Sequence, residues 1–328
     1  MFDRICAELN LGALTAPPQR LHGGYTHRMF RLDTTGGCYA VKLLNPEIMQ
    51  RPGVLDNFRT AEGFEDLLER ENLPILPALT IGGRKLHCVD GQYLVDGQYL
   101  YVFDYFDGRV LTADEITPAH CAKIGGVLAG IHRAGENALP HLQTEVPGAV
   151  APWRERADAL LASDDARAEG ALLQAAAPML ERASAAAEDA VRRLPPMQTL
   201  CHNDMDPKNV LWLGEDFRII DLECLGVADP RQELLDLAVS WSGGEEGCFK
   251  AFVSAYDAAG GARLTDAALV YDSRRNYLDW LEYNARRALF DDPEERRIAR
   301  EQIRWTLQKM EDDVRNRGKI LRWMEECP

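Results

Sequence analysis

The chain has 328 residues, a formal net charge of −15 and eight widely scattered cysteines. This length exceeds that of one typical domain, so we expect two lobes with ample material for a core. The negative charge argues against DNA or RNA as a partner, because phosphate backbones favour a basic protein face. The cysteines form no CxxC pair, which argues against a zinc site or a disulfide framework and favours reduced thiols in the cytoplasm.

The first residues, MFDRICAELNLGAL, do not have the pattern of a secretory signal. Asp3, Arg4 and Glu8 interrupt the stretch that would have to be apolar. Nowhere else do about 18 apolar residues run together, as a membrane-spanning helix requires. The sequence therefore predicts a soluble cytoplasmic protein without a membrane partner.

Residues 21–44 have the pattern of three strands separated by glycine turns. MFRLD and CYAVKLL are rich in strand-forming residues, and the turns fall at Gly23-Gly24 and Gly36-Gly37. VLDNFRTAEGFEDLLEREN then has helical spacing of its apolar residues. Two more strand-like runs follow, and the hexapeptide VDGQYL occurs at 89–94 and again at 95–100, which predicts an extended hairpin.

After Gly108 the sequence is helical in character almost throughout. An alanine-rich stretch predicts a long helix kinked near Pro178, and helical patterns return at 267–289 and 294–323. Arginine pairs within these patterns lie among acidic residues at helical spacing, and we interpret them as solvated helix faces. They are Arg274-Arg275, Arg286-Arg287 and Arg296-Arg297.

These elements predict the α+β class, with a small antiparallel sheet carrying one helix in the first lobe and a larger, mainly helical second lobe. We assign the N-terminal lobe to residues 1–103 and the C-terminal lobe to residues 104–328. The join between them is expected at about 103–108.

Polar residues gather in LCHNDMDPKNVLW, residues 200–212, where apolar flanks enclose a turn-prone centre. A loop anchored in this way can hold reactive side chains still. NVLWL and FRIID, joined by a tight turn, predict a hairpin that returns Asp221 toward Asn209. A carboxylate and an amide oxygen suit Mg²⁺ and leave positions open for water and phosphate. Asp204 is offset from that pair and faces another group.

The sheet lobe supplies positive charge and backbone donors. Gly23-Gly24 lie between two strands, so backbone N–H groups can approach phosphate oxygens without a Cβ in the way. Lys42 lies in an apolar strand, where alternation turns it away from its apolar neighbours. A lysine in that setting needs an acidic partner. We assign Glu62 on the following helix, with Glu65 as the alternative.

These motifs together resemble a known fold. A lysine in strand three, a glutamate on the next helix, H-x-D-x-x-x-x-N and a following I-D resemble the protein-kinase-like bilobal fold. More closely, the chain resembles the aminoglycoside phosphotransferase and choline kinase group of small-molecule kinases. GGYTHRMFRL is similar to the glycine loop of that group, YVFDYFDG to its hinge, CHND to the choline-kinase form of its catalytic loop, and IIDLECLGVADPRQELLDLA to its metal-binding segment. The resemblance covers most of residues 21–240.

The resemblance implies an ATP-dependent phosphotransferase whose catalytic residues are Asp204, Lys42 and Glu62. Asp204 would accept a hydrogen bond from the acceptor hydroxyl, while Lys42, oriented by Glu62, would hold the α- and β-phosphates of ATP. His202 is assigned a bracing role in the loop. Lys208, like the neighbouring Asp206, is assigned no role.

The resemblance also implies sites for Mg²⁺ and for the nucleotide. Asn209 and Asp221 are the implied metal ligands. Glu223 stands where protein kinases have glycine, and it either joins the metal, contacts a cationic substrate or is structural. His27 stands where these families often have asparagine. The implied nucleotide-binding residues are Gly23, Gly24, Thr26, His27, Lys42, Phe103, Asp104 and Phe106.

The acceptor is predicted to be a small cationic molecule. Only seven residues separate Asp221 from Asp229-Pro230, fewer than the activation segment on which a protein kinase seats a peptide. Tyr277, Trp280 and Tyr283 either are core residues on one helix face or form a pocket for a quaternary ammonium group. The acidic residues that suit an aminoglycoside, choline or another amino alcohol are Asp206, Glu223, Asp229, Asp279, Glu282, Asp291 and Asp292.

Two other functions are compatible with the sequence. CHND and DLE favour a choline- or ethanolamine-type kinase, whereas GVADP and LLDLA favour an antibiotic kinase. The alternative of another class is a catalytically silent ATP-binding regulatory module, although every catalytic position is filled.

Overall fold

The computed structural model of the protein describes residues 1–21, 27–50, 53–89, 97–138, 151–262 and 264–327, without the side chains of 137 and 138. The chain divides into two compact units. The first contains Met1–Thr117, Gly130–Pro140 and Thr199–Ala228, and the second contains Pro118–Ala129, His141–Gln198 and Asp229–Pro328. The segment that carries Asp204 and Asp221 therefore belongs to the same unit as Lys42. The expected join at 103–108 stays a prediction.

The described residues form eleven α-helices and nine strands. Up to residue 138 they are α1 (Phe2–Glu8), β1 (Gln19–Leu21), β2 (Arg28–Thr34), β3 (Gly37–Leu43), α2 (Pro46–Met49), α3 (Val54–Arg70), β4 (His87–Val89), β5 (Gln98–Asp104) and α4 (Pro118–Ala138). From residue 151 onward they are α5 (Trp153–Leu161), α6 (Arg167–Arg193), β6 (Thr199–Cys201), β7 (Val210–Leu213), β8 (Asp216–Ile219), β9 (Gly226–Ala228), α7 (Pro230–Ser242), α8 (Glu246–Ala258), α9 (Ala267–Ser273), α10 (Asn276–Arg287) and α11 (Pro293–Glu325).

An antiparallel sheet in the order β1-β2-β3-β5-β4 dominates the first unit, and the predicted α+β class is confirmed. The predicted meander is also confirmed, since β2 pairs with β3 through a turn at Gly36. β4 pairs with β5 through Val89 and Gln98, in agreement with the predicted hairpin. Residues 90–96 of that hairpin lie outside the described residues, as does the turn predicted at Gly23-Gly24.

The two faces of this sheet bury different residues. Val41 and Leu43 pack with Leu100 and with Ile5 of α1, whereas Lys42 projects from the opposite face. The predicted alternation in β3 is therefore confirmed. The sequence predicts one helix in this lobe, α3, and the structure adds α1 and α2. Those helices have seven and four residues, too few turns to show a periodic apolar pattern.

Helix α4 approaches β6 closely through Gly135. A Cβ at this position would collide with the backbone nitrogen of Leu200 and with the hydroxyl group of Thr199. The Thr199 hydroxyl also donates a 2.6 Å hydrogen bond to the carbonyl of His132. Because β6 leads directly into His202, these contacts fix the start of the predicted catalytic loop.

The second unit is helical, and a core lies among α5, α6, α10 and α11. Trp153, Leu180 and Leu281 are among its buried residues. α6 runs through Pro178 as one helix, so the predicted long helix is confirmed. The predicted helical stretch 267–289 is two helices, α9 and α10. Among the helices in the described residues, none combines the length and the apolar character that a bilayer crossing requires.

Two arginines that we interpreted as solvated are buried instead. Arg274 lies 3.0 Å from Asp236 and 2.8 Å from Asp313, and only 6% of its side chain is exposed. Arg287 lies 2.6 Å from Glu295 and is also buried. The interpretation was wrong for these two because helical spacing among acidic residues does not show which acids are tertiary partners.

Candidate active site

Lys42 lies between two carboxylates of the segment that follows β8. Its Nζ lies 2.6 Å from Asp221 Oδ1 and 2.7 Å from Glu223 Oε2, although 179 residues separate Lys42 from Asp221 along the chain. Burial disfavours the ammonium, but the charges of Glu223 and Asp221 outweigh it and raise the pKa of Lys42. The lysine is therefore positively charged throughout the physiological range.

The structure corrects the predicted partner of Lys42. Glu62 Oε1 instead accepts hydrogen bonds from the hydroxyl of Tyr101 and from the N–H of Leu86, each 3.0 Å long. Tyr101 pairs with Lys42 across β3 and β5, so the two side chains lie on the same face of the sheet. The Tyr101 hydroxyl therefore occupies Glu62 in place of the Lys42 ammonium. Burial and the charge of Glu62 raise the pKa of Tyr101, which keeps the phenol a hydrogen-bond donor.

Glu65, the alternative partner, is also engaged elsewhere. Its Oε1 accepts hydrogen bonds from Lys85 Nζ at 2.6 Å and from the N–H of Ala78 at 2.9 Å. Burial raises the pKa of Glu65, and Lys85 opposes that shift. Both side chains are buried, so this pair fixes α3 against the segment before β4.

The predicted catalytic loop runs from β6 to β7 and contains one turn of 3-10 helix, Pro207–Asn209. His202 is fully buried, and its Nδ1 accepts a 3.3 Å hydrogen bond from the N–H of Asp204. This contact supports the bracing role assigned to His202. Asn203 has a left-handed backbone with φ of 64°, and its Nδ2 donates a 3.0 Å bond to the carbonyl of Cys224. The loop is thereby tied to the segment after β8.

Neighbouring donors hold both carboxylate oxygens of Asp204. Lys208 Nζ lies 2.6 Å from Oδ1, and Asn209 Nδ2 donates to Oδ2 at 2.8 Å and to the Asp204 carbonyl at 2.7 Å. Burial raises the pKa of Asp204, and the charge of Lys208 opposes that shift. Lys208, to which no role was assigned from the sequence, is the counter-ion of the predicted catalytic carboxylate.

Glu223 connects Lys42 to His27. His27 Nε2 lies 2.9 Å from Glu223 Oε1, while His27 Nδ1 accepts a 3.0 Å hydrogen bond from the N–H of Asn45. Because Nδ1 is an acceptor, the proton of the neutral ring is on Nε2. Burial acts against ionisation of Glu223, but Lys42 and His27 outweigh it and lower the pKa of Glu223 to about 2. His27 and Glu223 were each singled out from the sequence, but their contact was not predicted. Residues so far apart along the chain leave no periodic pattern that would reveal it.

Asp221 and Asn209 offer the oxygen atoms that a divalent cation needs. The predicted hairpin is confirmed, and the N–H of Ile220 donates a 2.9 Å bond to the carbonyl of Asn209. Asp221 has a left-handed backbone with φ of 66°, a strain of order 1 kcal/mol or more that concentrates at functional sites. Asn209 directs its amide nitrogen at Asp204, so its amide oxygen is the ligand atom that it can offer. This donor set fits Mg²⁺.

The sequence also matches a known protein family. The family model described as the phosphotransferase enzyme family matches residues 18–271, which include every residue of the site described above. The chain belongs to the phosphotransferase enzyme family. No match was found among curated protein sequences.

Solved structures of similar fold include both antibiotic and amino-alcohol kinases. A spectinomycin phosphotransferase in complex with ADP and spectinomycin is 14% identical, with a TM-score of 0.68 over 92% of this chain and 94% of that chain. A choline/ethanolamine kinase family protein from Mesorhizobium loti is 18% identical, with a TM-score of 0.64 over 99% and 98%. A microcompartment-associated aminopropanol kinase is 13% identical, with a TM-score of 0.58 over 96% and 97%. At these identities the similarity concerns the fold, and the predicted protein-kinase-like fold is confirmed.

β5 ends at Asp104, within the segment 103–108 that is predicted to be the hinge. The N–H of the next residue, Tyr105, donates a 3.0 Å hydrogen bond to the carbonyl of Cys38 and so continues the pairing with β3. The adenine contacts expected of Phe103, Asp104 and Phe106 stay predictions. The glycine-loop candidates outside the described residues are Gly23, Gly24 and Thr26.

The aromatic residues of α10 contact other side chains of the second unit. Trp280 and Tyr283 stack with ring centroids 5.5 Å apart, and Trp280 Nε1 donates to Gln302 Oε1 at 3.2 Å. Tyr277 packs against the helical core and meets Trp305 edge-on at 6.1 Å. These contacts favour the packing interpretation over a pocket for a quaternary ammonium group.

Proposed function

We propose that the protein transfers the γ-phosphate of ATP to a hydroxyl group of a small, cationic molecule. The observation that carries this proposal is the contact of Lys42 with Asp221, within the unit that also holds Asp204. Phosphoryl transfer depends on positioning and charge neutralisation, because its loose transition state spreads charge over the transferred oxygens. A buried lysine, two aspartates and an amide supply these two functions.

Lys42 would bind the nucleotide through its phosphates. Its ammonium would exchange the contact with Asp221 for one with the α- and β-phosphates, as the family resemblance implies. Asn209 and Asp221 would hold Mg²⁺, which neutralises phosphate charge when it is bound. Glu223 is already held by two donors of the protein, Lys42 and His27.

Asp204 would orient the acceptor hydroxyl. A carboxylate is a far weaker base than an alkoxide, so Asp204 would take the proton late in the transfer. Lys208 and Asn209 fix its two oxygens, which restrains rotation of the carboxylate before the acceptor binds. Lys208 also favours the ionised form, in which Asp204 can accept the hydroxyl proton.

A small acceptor fits the short segment between Asp221 and Asp229. One turn of 3-10 helix, Leu222–Cys224, and β9 occupy most of it, which leaves little chain for a peptide-binding platform. The net charge of −15 favours a cationic acceptor. Spectinomycin and aminopropanol, named for two structural neighbours, make aminoglycoside-like antibiotics and amino alcohols the first acceptors to test. A choline- or ethanolamine-type kinase is the alternative within this class.

An ATP-consumption assay tests the proposal. Purified protein, ATP and Mg²⁺ are combined with a panel of aminoglycosides, amino alcohols including choline and ethanolamine, and sugars. We expect ADP release that depends on one acceptor class, and phosphorylated acceptor detectable by mass spectrometry. A protein that binds ATP but releases no ADP with any acceptor would be the silent regulatory module instead.

The Asp204→Asn variant is the matched control for that assay. It keeps the size of the side chain and removes the charge that orients the hydroxyl. We expect acceptor-dependent turnover to fall by about 10³-fold, while ATP binding is nearly unchanged. Turnover within tenfold of the unsubstituted protein would contradict the role of Asp204.

A further inference from the structure

We propose that His27 and Glu223 take the place of Glu62 as the residues that position Lys42 for the nucleotide. The inference rests on the proposed function, because it concerns how the phosphate-binding ammonium is presented. It assigns Glu223 to the lysine and leaves Asn209 and Asp221 as the metal ligands.

A continuous series of contacts runs from the backbone to the ammonium. The N–H of Asn45 donates to His27 Nδ1, which fixes the ring and places its proton on Nε2. That proton points at Glu223 Oε1, 2.9 Å away, and Glu223 Oε2 lies 2.7 Å from Lys42 Nζ. Each carboxylate oxygen therefore has one donor, and Glu223 cannot turn away from Lys42 without losing the histidine.

The two carboxylates beside Lys42 differ in exposure and in what holds them. The Asp221 side chain is 30% exposed, and its contact with Lys42 leaves acceptor capacity for a metal. The Glu223 side chain is 19% exposed and lies against His27, which is itself only 5% exposed. Asp221 is thus the carboxylate that can exchange Lys42 for another cation. Glu223 is the carboxylate that remains bonded to Lys42.

Glu62 is occupied by partners that have no part in this series. Its Oε1 accepts from both Tyr101 and Leu86, and Tyr101 stands directly across from Lys42 in the sheet. Recruiting Glu62 to Lys42 would break those two bonds inside the protein. The histidine that replaces the asparagine frequent in these families thus has a defined task in this chain.

Binding of a fluorescent N-methylanthraniloyl derivative of ATP, with Mg²⁺, measures the effect directly and needs no acceptor. His27→Leu removes both ring contacts without changing a formal charge, and we expect roughly tenfold weaker binding. His27→Gln restores a donor and should recover at least a third of that loss on a logarithmic scale. Arg59→Ala, at an exposed pair on α3, is the surface control and should bind as the unsubstituted protein does.

Glu62→Gln separates this inference from the ordinary pairing of a kinase lysine. We expect its effect on nucleotide binding to be at least threefold smaller than that of His27→Leu, together with a lower melting temperature. Equal or stronger weakening by Glu62→Gln would overturn the inference. So would unchanged binding in His27→Leu.

A second readout reports the position of Lys42 and not the stability of the protein. An acyl phosphate derivative of ATP acylates a lysine amine held beside the phosphates, and mass spectrometry identifies the labelled peptide. At saturating probe we expect slower labelling of Lys42 in His27→Leu and partial recovery in His27→Gln. Equal labelling rates in all variants would contradict a positioning role. Failure of the unsubstituted protein to bind either probe would overturn the proposed function itself.

Discussion

Lys42 in the first unit and Arg274 in the second are both buried cations that contact two carboxylates, yet their surroundings differ. Arg274 forms a fork with Asp236 at 3.0 Å and with both oxygens of Asp313 at 2.8 and 2.9 Å. Its guanidinium also lies 3.8 Å above the ring of Tyr271, whose hydroxyl donates to Asp313. Each of the three guanidinium nitrogens donates a hydrogen bond, Nε to the carbonyl of Tyr271, so the fork cannot leave one acid without losing its other bonds.

Lys42 carries a compact charge on a flexible stem, and one of its acids is strained and partly exposed. Asp221 has the left-handed backbone, whereas Glu223 is anchored by His27. An ammonium can move between acceptors that a guanidinium fork cannot leave. Burial of an ion pair therefore does not by itself indicate function. Exchangeable partners and backbone strain distinguish the candidate active site around Lys42 from the structural cluster around Arg274.

Of the substitutions at these two clusters, Lys42→Met should cause the largest change, a loss of turnover. The acceptor-dependent turnover is expected to fall by about 10³-fold, because the phosphates lose their fixed cation. The free energy of unfolding should fall by about 2–3 kcal/mol, because Glu223 loses its cation but keeps its contact with His27, and Asp221 remains partly hydrated. Steady-state kinetics and urea denaturation measure the two effects. A turnover loss below tenfold would remove Lys42 from the mechanism.

Arg274→Met should have the opposite effects, a large loss of stability with little change in nucleotide binding. It leaves two acids in the protein interior without their shared cation, and we expect the free energy of unfolding to fall by about 3–5 kcal/mol. Nucleotide affinity of the folded fraction should be unchanged. Arg286→Ala, which removes an exposed pair with Glu282 at 3.1 Å, should cost no more than about 0.5 kcal/mol in the same urea titration. A loss below about 1 kcal/mol in Arg274→Met would show that the cluster is dispensable.

The free energy of unfolding at acidic pH should depend on the ionisation of Glu223. Its pKa is lowered to about 2 from the model-compound value of 4.5, so ionised Glu223 stabilises the fold above pH 4.5. That contribution, about 3 kcal/mol in total, is lost as the pH falls from 4.5 toward 2. The stability difference between the unsubstituted protein and Glu223→Gln should therefore narrow by about 1 kcal/mol between pH 6 and pH 3.5. Urea denaturation at both pH values measures it, and a constant difference would contradict the depressed pKa.

Tyr271→Phe should have the smallest effect. The variant keeps the ring beneath Arg274 and removes only the hydroxyl that donates to Asp313 at 2.8 Å. Because Arg274 still occupies that carboxylate, we expect a loss of about 1 kcal/mol in the free energy of unfolding. Thermal denaturation of matched samples detects it. A loss as large as that of Arg274→Met would mean that the hydroxyl, and not the fork, holds the cluster together.

Local patterns in the sequence predicted the elements that carry the site. Strand alternation placed Lys42 on the correct face of β3, and the tight turn between β7 and β8 predicted the return of Asp221 toward Asn209. Both predictions depend on neighbours within a few residues, where backbone geometry fixes the direction of a side chain. The motif at Asp204 also predicted a loop anchored by its apolar flanks.

The choice among equivalent partners could not be predicted in the same way. Glu62 and Glu223 are both acids, and only the folded structure shows that Tyr101 takes the first and leaves the second for Lys42. Arg274 was misinterpreted for the same reason, because its acids come from α7 and α11 and not from its own helix. Ion pairing over long sequence separations depends on tertiary geometry, and a periodic pattern does not record it.

At Gly135 only a hydrogen atom fits between α4 and the strand that leads into the predicted catalytic loop. Any larger substituent would displace the Thr199–Leu200 backbone and, with it, the start of the turn that carries His202. In a random mutagenesis screen for loss of phosphotransfer, position 135 should therefore appear beside Asp204 and Asp221 although it carries no functional group. Gly135 takes no part in the chemistry, and the loop depends on the lack of a Cβ at this position.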